Sequence, residues 1–273
     1  MRSGSDSMAR LGSADIRLEV RNLTVGYGAR VIQRHLSFAV HRGSIFAIMG
    51  GSGCGKSTVL RAIMGLLHPA AGTILVDGED YWAATDARRA EIGRRFGVLF
   101  QSGALWSSMS VAENVALPLQ MFTGLSADAI AALVQLKLSL VGLADAAGKM
   151  PAELSGGMCK RAGLARAIAL DPEILLFDEP SAGLDPVTSD RLDALLLELS
   201  QGLNATVVIV SHDLASLFAI CDDGIFLDEA AGTAIARGSP RALRDTCDDP
   251  TVRAFMERGR LERLERKRGG HEC

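Results

Sequence analysis

The chain has 273 residues, 48% hydrophobic and 22% charged, with a net charge of -3 and a pI near 6.0. This is ordinary globular composition with enough chain to bury a core, and it carries no global electrostatic drive toward nucleic acid or anionic lipid. No run of about 18 apolar residues is present, so no bilayer-spanning helix is expected, and five scattered cysteines without a CxxC pair predict reduced thiols in a cytosolic protein rather than a disulfide frame or zinc site.

The opening MRSGSDSMARLGSAD (1–15) lacks the long apolar core of a secretory signal. It predicts a disordered lead, with Met8 as an alternative start to Met1. IRLEVRNLTVGYG (16–28) alternates apolar and polar residues, as a half-buried antiparallel strand does. SIFAIMG (44–50) is a continuous apolar run closed by glycine, which predicts a strand buried on both faces. STVLRAIMGLL then places Val59, Leu60, Ile63, Met64 and Leu67 on one helical stripe. GTILVDGEDY (72–81) predicts a strand and turn, and RRFGVLFQ (94–101) a short strand entering a loop. From Val111 to Ala147 the pattern is helical, with breaks expected at Pro118 and at Thr123–Ser126. A helix (154–170), the buried strand EILLFDEP, helix VTSDRLDALLLELS, strand ATVVIVSHD, helix LASLFAICD and strand-like GIFLDEAAGTAIARG follow. Strand–helix alternation predicts an α/β fold with a largely parallel sheet, and the middle helices an inserted subdomain.

Two stretches carry chemistry. GGSGCGKST fits G-x-x-x-x-G-K-[ST] at Gly50, Gly55, Lys56 and Ser57. Its glycines let backbone N–H groups close around phosphates, and the following helix adds its positive end. Lys56 is expected to reach the β/γ-phosphates and Ser57 to bind Mg²⁺. A bare glycine-rich turn is the alternative, disfavoured by the strand before and the helix after. ILLFDEP sets Asp178 and Glu179 at the end of a buried strand, Asp178 to hold Mg²⁺ through water and Glu179 to polarise an attacking water. Alone these could be a solvated strand end before a proline stop. Beside a phosphate loop they supply the acid such a loop requires.

With these motifs the chain resembles the nucleotide-binding subunits of ABC transporters from Ile16 to Pro240. That resemblance implies a P-loop NTPase with a RecA-like core, an antiparallel β subdomain and an α-helical insert at about 102–160. An ATPase domain over 16–240 and a C-terminal helical extension over 241–273 follow from it. It implies ATP and Mg²⁺, held by Gly50, Gly51, Ser52, Gly53, Cys54, Gly55, Lys56, Ser57 and Thr58. Tyr27 of VGYG stands where the family stacks an aromatic on adenine. Gln101 of FQSG stands at the loop that touches Mg²⁺ and senses the membrane partner. Ser155, Gly156 and Gly157 of LSGGM form the signature, SAGLD (181–185) resembles the D-loop, and His212 of VSHD is the switch histidine beside the γ-phosphate. The implied catalytic set is Glu179, His212, Lys56 and Gln101, and the metal set Ser57, Gln101 and Asp178. The family pairs two subunits head to tail, so the signature of one faces the γ-phosphate on Lys56 of the other; a homodimer follows.

Met158 departs from the usual glutamine of the signature. LSGGM, and FQSGALWSSMSVAENVALPLQ (100–120), resemble the Mla/Mce-type (MlaF-like) lipid transport ATPases, although PSAGLDP is the general family's D-loop. That branch implies phospholipid transport between inner and outer membranes, a separate MlaE-like permease, a periplasmic MCE-domain protein and a peripheral place on the cytoplasmic face of the inner membrane. Lipid would be the transported substrate without binding this subunit directly. An FtsE-like ATPase that signals across the membrane is the alternative. A soluble ATPase acting on DNA or ribosomes is disfavoured by the single nucleotide-binding unit, the absence of a coiled-coil insert and the acidic pI. The charged end VRAFMERGRLERLERKRGGHEC can pair Arg258 with Glu262 and Glu262 with Arg266. It reads either as a solvated tail or as a contact with a partner subunit or an anionic membrane face.

Overall fold

The computed structural model describes residues 15–257, so all of the expected lead (1–15) but its last residue, and the Arg258, Glu262 and Arg266 pairs, lie outside the described residues. In chain order come β1 (Ile16–Tyr27), β2 (Arg30–His41), β3 (Ile45–Gly50), α1 (Lys56–Ile63), β4 (Ala71–Val76), β5 (Glu79–Asp80), α2 (Asp86–Gly93) and β6 (Phe96–Leu99). Next are helices α3 (Val111–Phe122), α4 (Ala127–Leu140) and α5 (Gly156–Ala167). The second half has β7 (Ile174–Asp178), α6 (Pro186–Leu203), β8 (Thr206–Val210), α7 (Leu214–Ile220), β9 (Asp223–Asp228), β10 (Thr233–Arg237) and α8 (Pro240–Thr246), then a helical segment at 250–257.

The strands form two sheets. One is antiparallel with order β2-β1-β4-β5; the other has order β10-β9-β3-β8-β7-β6, parallel except for the antiparallel edge strand β10. Strand β3 shows why its sequence is apolar at every position. Ile45, Ala47 and Met49 face one core with the helices α3 to α7, whereas Phe46 and Ile48 face a second core shared with α1 and the antiparallel sheet. A strand alternates its side chains, so burial on both faces demands an unbroken run. Phe38 of β2 stacks on Phe46 at 5.2 Å and joins the sheets.

Four local features differ from the sequence reading. Strand β2 and helix α2, absent from that reading, are both formed. Helix α1 stops at Ile63, leaving Leu67 beyond it. Gly65 takes φ +81, Leu66 N donates to Arg61 O (2.9 Å) and Gly65 N to Ala62 O (3.3 Å), a Schellman ending that consumes the last carbonyls. Pro118 does not break α3, which runs through it. A Ser110–Glu113 capping box starts that helix and Val111, Val115 and Leu119 bury against the core. At about 1.5–3 kcal/mol per buried side chain, this exceeds the roughly 3 kcal/mol a helical proline costs. The break at Thr123–Ser126 is present, with Thr123 ending α3 and Ser126 capping α4.

Candidate functional site

Strands β3, β7 and β8 end side by side, and Val210 pairs with both Ile48 and Asp178. Residues distant in sequence therefore meet at the C-terminal edge of the sheet, where open α/β folds place ligands. The loop after β3 needs its glycines. A Cβ on Gly50 (φ +142) would lie 2.3 Å from Leu227 O, and one on Gly55 (φ +100) 2.5 Å from Ile32 Cγ2. Gly55 immediately precedes α1, so the first-turn N–H groups of that helix open toward the loop.

The charged side chains converge here. Lys56, 7% exposed, donates from Nζ to Gly50 O (2.9 Å) and Gly51 O (2.8 Å). Ser57 Oγ donates to Asp178 Oδ1 at 2.8 Å. His212 Nδ1 donates to Glu179 Oε2 at 2.8 Å, the tautomer following from the carboxylate's being an acceptor. Glu179 holds φ +52, which non-glycine residues seldom adopt, and its N–H donates to Val210 O at 2.9 Å. A 560 Å³ cavity is lined by Gly50, Gly51, Ser52, Gly53, Gly55, Lys56, Ser57, Thr58, Gln101, Glu179 and His212. Asp178 reaches this group through Ser57 rather than by lining the cavity. Cys54 is buried beneath the loop, and burial pushes its thiol pKa up. Tyr27 stays outside the cavity lining, exposed at the end of β1 and accepting from Arg61 at 3.0 Å.

Ser155, Gly156 and Gly157 are elsewhere. They line a separate 520 Å³ cavity with Met158, Arg161, Asp185, Thr188 and Arg191. Ser155 caps α5, its Oγ accepting from Met158 N at 3.3 Å. A Cβ on Gly157 would lie 2.8 Å from Thr188 Cγ2, so any larger residue would have to displace that side chain of α6. The two cavities share no lining residue: within one chain, the signature does not meet the Lys56 loop.

Sequence reasoning missed three supporting residues. Gln33, fully buried on β2, donates to Cys54 O (2.7 Å) and Asp228 O (3.0 Å), anchoring the underside of the loop. Phe255, from the segment 250–257, lines the first cavity and packs edge-on against Phe226 at 5.0 Å. Lys160 on α5 reaches the loop after β7. Each contact spans the tertiary fold, and no local spacing announces it.

In chemical terms the first cavity can cradle polyphosphate on backbone amides and an ammonium. It sets two hard oxygen donors 2.8 Å apart and holds a carboxylate against an imidazole. A family model described as ABC transporter matches residues 33–182. The chain belongs to the ABC transporter family. As a member of it, the chain is an ABC-type ATPase with the P-loop NTPase fold expected from its motifs. The intermembrane phospholipid transport system ATP-binding protein MlaF of Escherichia coli (strain K12) is 45% identical over 240 residues, 88% of each chain. The protein of the same name from Haemophilus influenzae is 44% identical over 231 residues, 85% of this chain and 87% of that one. Among solved structures, the ATP-binding cassette MJ0796, dimeric in a post-hydrolysis state with ADP and Pi, superposes with TM-score 0.73 at 29% identity. It covers 81% of this ABC chain and 97% of that one.

Proposed function

We propose that this chain hydrolyses MgATP at two composite sites of a homodimer and thereby drives phospholipid transport between inner and outer membranes. The observation that carries the composite site is the separation of the two cavities. Lys56 and the first-turn amides of α1 would hold the phosphates from one side, and Ser155, Gly156 and Gly157 of a second copy would close over the γ-phosphate. Each helix end, α1 and α5, then serves a different nucleotide. The dimeric, ADP- and Pi-bound state of the similar cassette supports this arrangement.

Ser57 Oγ and Asp178 Oδ1 fit Mg²⁺, which takes one or two protein oxygens and keeps waters and substrate phosphates as its other ligands. Held there, the ion would supply neutralisation of charge on the phosphates. The Glu179 carboxylate accepts a proton from the attacking water, with His212 holding it in place through Oε2. Lys56 exchanges its bonds to Gly50 O and Gly51 O for phosphate oxygens and stabilises charge as the bond to the leaving group breaks. Gln101, on the loop after β6, positions water and metal, and Tyr27 receives the base.

The names of these relatives support phospholipid as cargo and favour transport over transmembrane signalling of the FtsE-like kind. No helix among the described residues is long and apolar enough to cross a membrane; in this proposal cargo moves through a separate permease of MlaE-like kind with a periplasmic MCE-domain protein, in line with the transport system named for the relatives. A groove between β6 and α3, rimmed by exposed Trp106, Met121 and Phe122 beside the Gln101 loop, offers the permease an apolar seat at the cytoplasmic face of the inner membrane. The reading is tested with Glu179→Gln. This variant is expected to bind ATP and accumulate as dimers while turnover falls by about 10²–10⁴-fold. Hydrolysis at the wild-type rate refutes the role given to Glu179.

A further inference from the structure

Lys160 lies on α5 one turn beyond the glycines that start that helix, and it does not line the second cavity. Its side chain is 5% exposed and crosses to the loop that follows β7. There Nζ donates to Glu179 O at 3.4 Å and to Ala182 O. Neither contact is an ion pair with a carboxylate. An ammonium taken out of water onto two main-chain carbonyls is an expensive arrangement, kept where it fixes geometry. The geometry fixed is unusual: Glu179 stands in left-handed backbone, and its carbonyl also accepts from Ala182 N at 3.2 Å. The next turn, with Leu184 N on Ser181 O (3.1 Å), leads to Asp185, which caps α6 and lines the second cavity. Burial makes the Lys160 ammonium easier to deprotonate, and the nearby Glu179 charge opposes this.

We propose that Lys160 is a positioning residue for ATP hydrolysis, clamping the main chain that aims the Glu179 carboxylate to the helix whose first turn forms the second cavity. The proposal rests on the reading that Glu179 acts on ATP in the first cavity while α5 closes on the nucleotide of a second copy. On that reading Lys160 ties the two sites together within one chain. A shift of α5 as it meets the partner's phosphate is delivered to the peptide of Glu179. Lys160 touches neither substrate nor metal and acts through Glu179.

Full-length protein is assayed for ATPase activity with Lys160→Met, which keeps length without a donor, and Lys160→Arg, which keeps the charge and donors. Lys160→Met is expected to lower kcat by about 10- to 100-fold, the scale of a small misplacement of a reacting group. KM for ATP should stay within about twofold, because the Lys56 loop is untouched. Lys160→Arg is expected to recover most of the lost kcat. Wild-type kcat in Lys160→Met, a matching loss of KM and kcat, or a folded Lys160→Arg no better than Lys160→Met overturns the proposal. If Lys160→Met gives no cooperative melt, Lys160→Gln decides by the same kcat and KM criteria. Glu179→Gln is run alongside. Unchanged turnover in that variant would sink the reading of the site itself, whereas its expected loss with unaltered Lys160→Met sinks only the clamp.

Discussion

Glycine 163 allows a calculation in which two effects of opposite sign compete. It is buried inside α5, where the helix presses against the loop that carries Gln101. A Cβ there would lie 2.9 Å from Gly103 O, 3.1 Å from Gly103 Cα and 3.0 Å from Leu99 Cδ1. Two of these are backbone atoms, and the loop is held in place by Arg166, which donates to Gly103 O (3.0 Å) and Ala104 O (2.8 Å). Gly163→Ala gains about 1 kcal/mol in helix propensity. Forcing a methyl into the contact costs about 1–3 kcal/mol, because a pinned carbonyl cannot swing away as a side-chain tip can. The net is a loss of up to about 2 kcal/mol, and at about 2–4 °C per kcal/mol Tm falls by up to about 8 °C. Gly202→Ala is the matched control: it sits in the last turn of α6 with nothing within 4 Å of the added carbon. It keeps the propensity gain, and its Tm is expected to rise by a few degrees. Thermal melts of the two variants beside wild type, with ATPase rates, make the comparison. The Gly163→Ala rate is expected to fall by about tenfold or more as Gln101 is displaced. If both variants raise Tm alike and keep full activity, the close approach of α5 to this loop does not constrain the site.

Asn114→Leu is expected to destabilise by about 2–4 kcal/mol in denaturant melts, since it strands several buried partners at once. Asn114 is fully buried, accepts from Trp106 N (2.8 Å) and donates to Trp106 O (3.1 Å), Met109 O (3.1 Å) and Ser110 O (3.0 Å). If a permease seats on this groove as proposed, the same variant should also weaken its co-purification, because this side chain holds the segment that presents Trp106. Acid should release the clasp between the two sheets, where Arg17, Arg42 and Arg95 surround Asp77 and Arg17 and Arg95 also hold Glu173. Burial pushes the Asp77 carboxyl up, but the hydrogen bond from Arg95 and the charges of Arg17, Arg95 and Arg42 outweigh it and leave its pKa lowered. A carboxyl depressed in the fold contributes stability in full above its unfolded pKa of about 3.9 and loses it as pH falls through the folded value. Asp77→Asn should therefore flatten the acid limb of a plot of stability against pH below about pH 4–5 while lowering stability at pH 7; an unchanged limb removes Asp77 from the account.

The legible parts of this chain were those whose signal is local. The Gly50–Thr58 loop and the buried runs of β3 and β7 each carry their pattern within ten residues, and the structure sets most of the loop and Glu179 around one cavity, with Asp178 joined to it through Ser57 and Cys54 buried beneath. Strand β2 was illegible because RVIQRHLSFAVH is interrupted by charges and by His35 in left-handed backbone, and its pairing with β1 is irregular in register. Helix α2 buries only Ile92, so its sequence offers no apolar stripe. Pro118 misled because tertiary packing outweighed a local preference. Gln33, Lys160 and Phe255 could not be found by spacing at all: each owes its place to chain that is distant in sequence, and a buried lysine reads in sequence like any solvated one.

The sheet order has a bearing on how the protein is made. Strand β3 carries the phosphate loop, yet its neighbours on both sides, β8 and β9, lie more than 150 residues downstream. During synthesis, at about 5–20 residues per second, Gly50–Thr58 leaves the ribosome well before any strand exists to flank it. The loop acquires its shape only after Leu227 is in place, since that residue's carbonyl is what Gly50 rests against. Nascent and truncated chains are therefore expected to carry the nucleotide motif without holding nucleotide until the strands beyond residue 205 have closed around it.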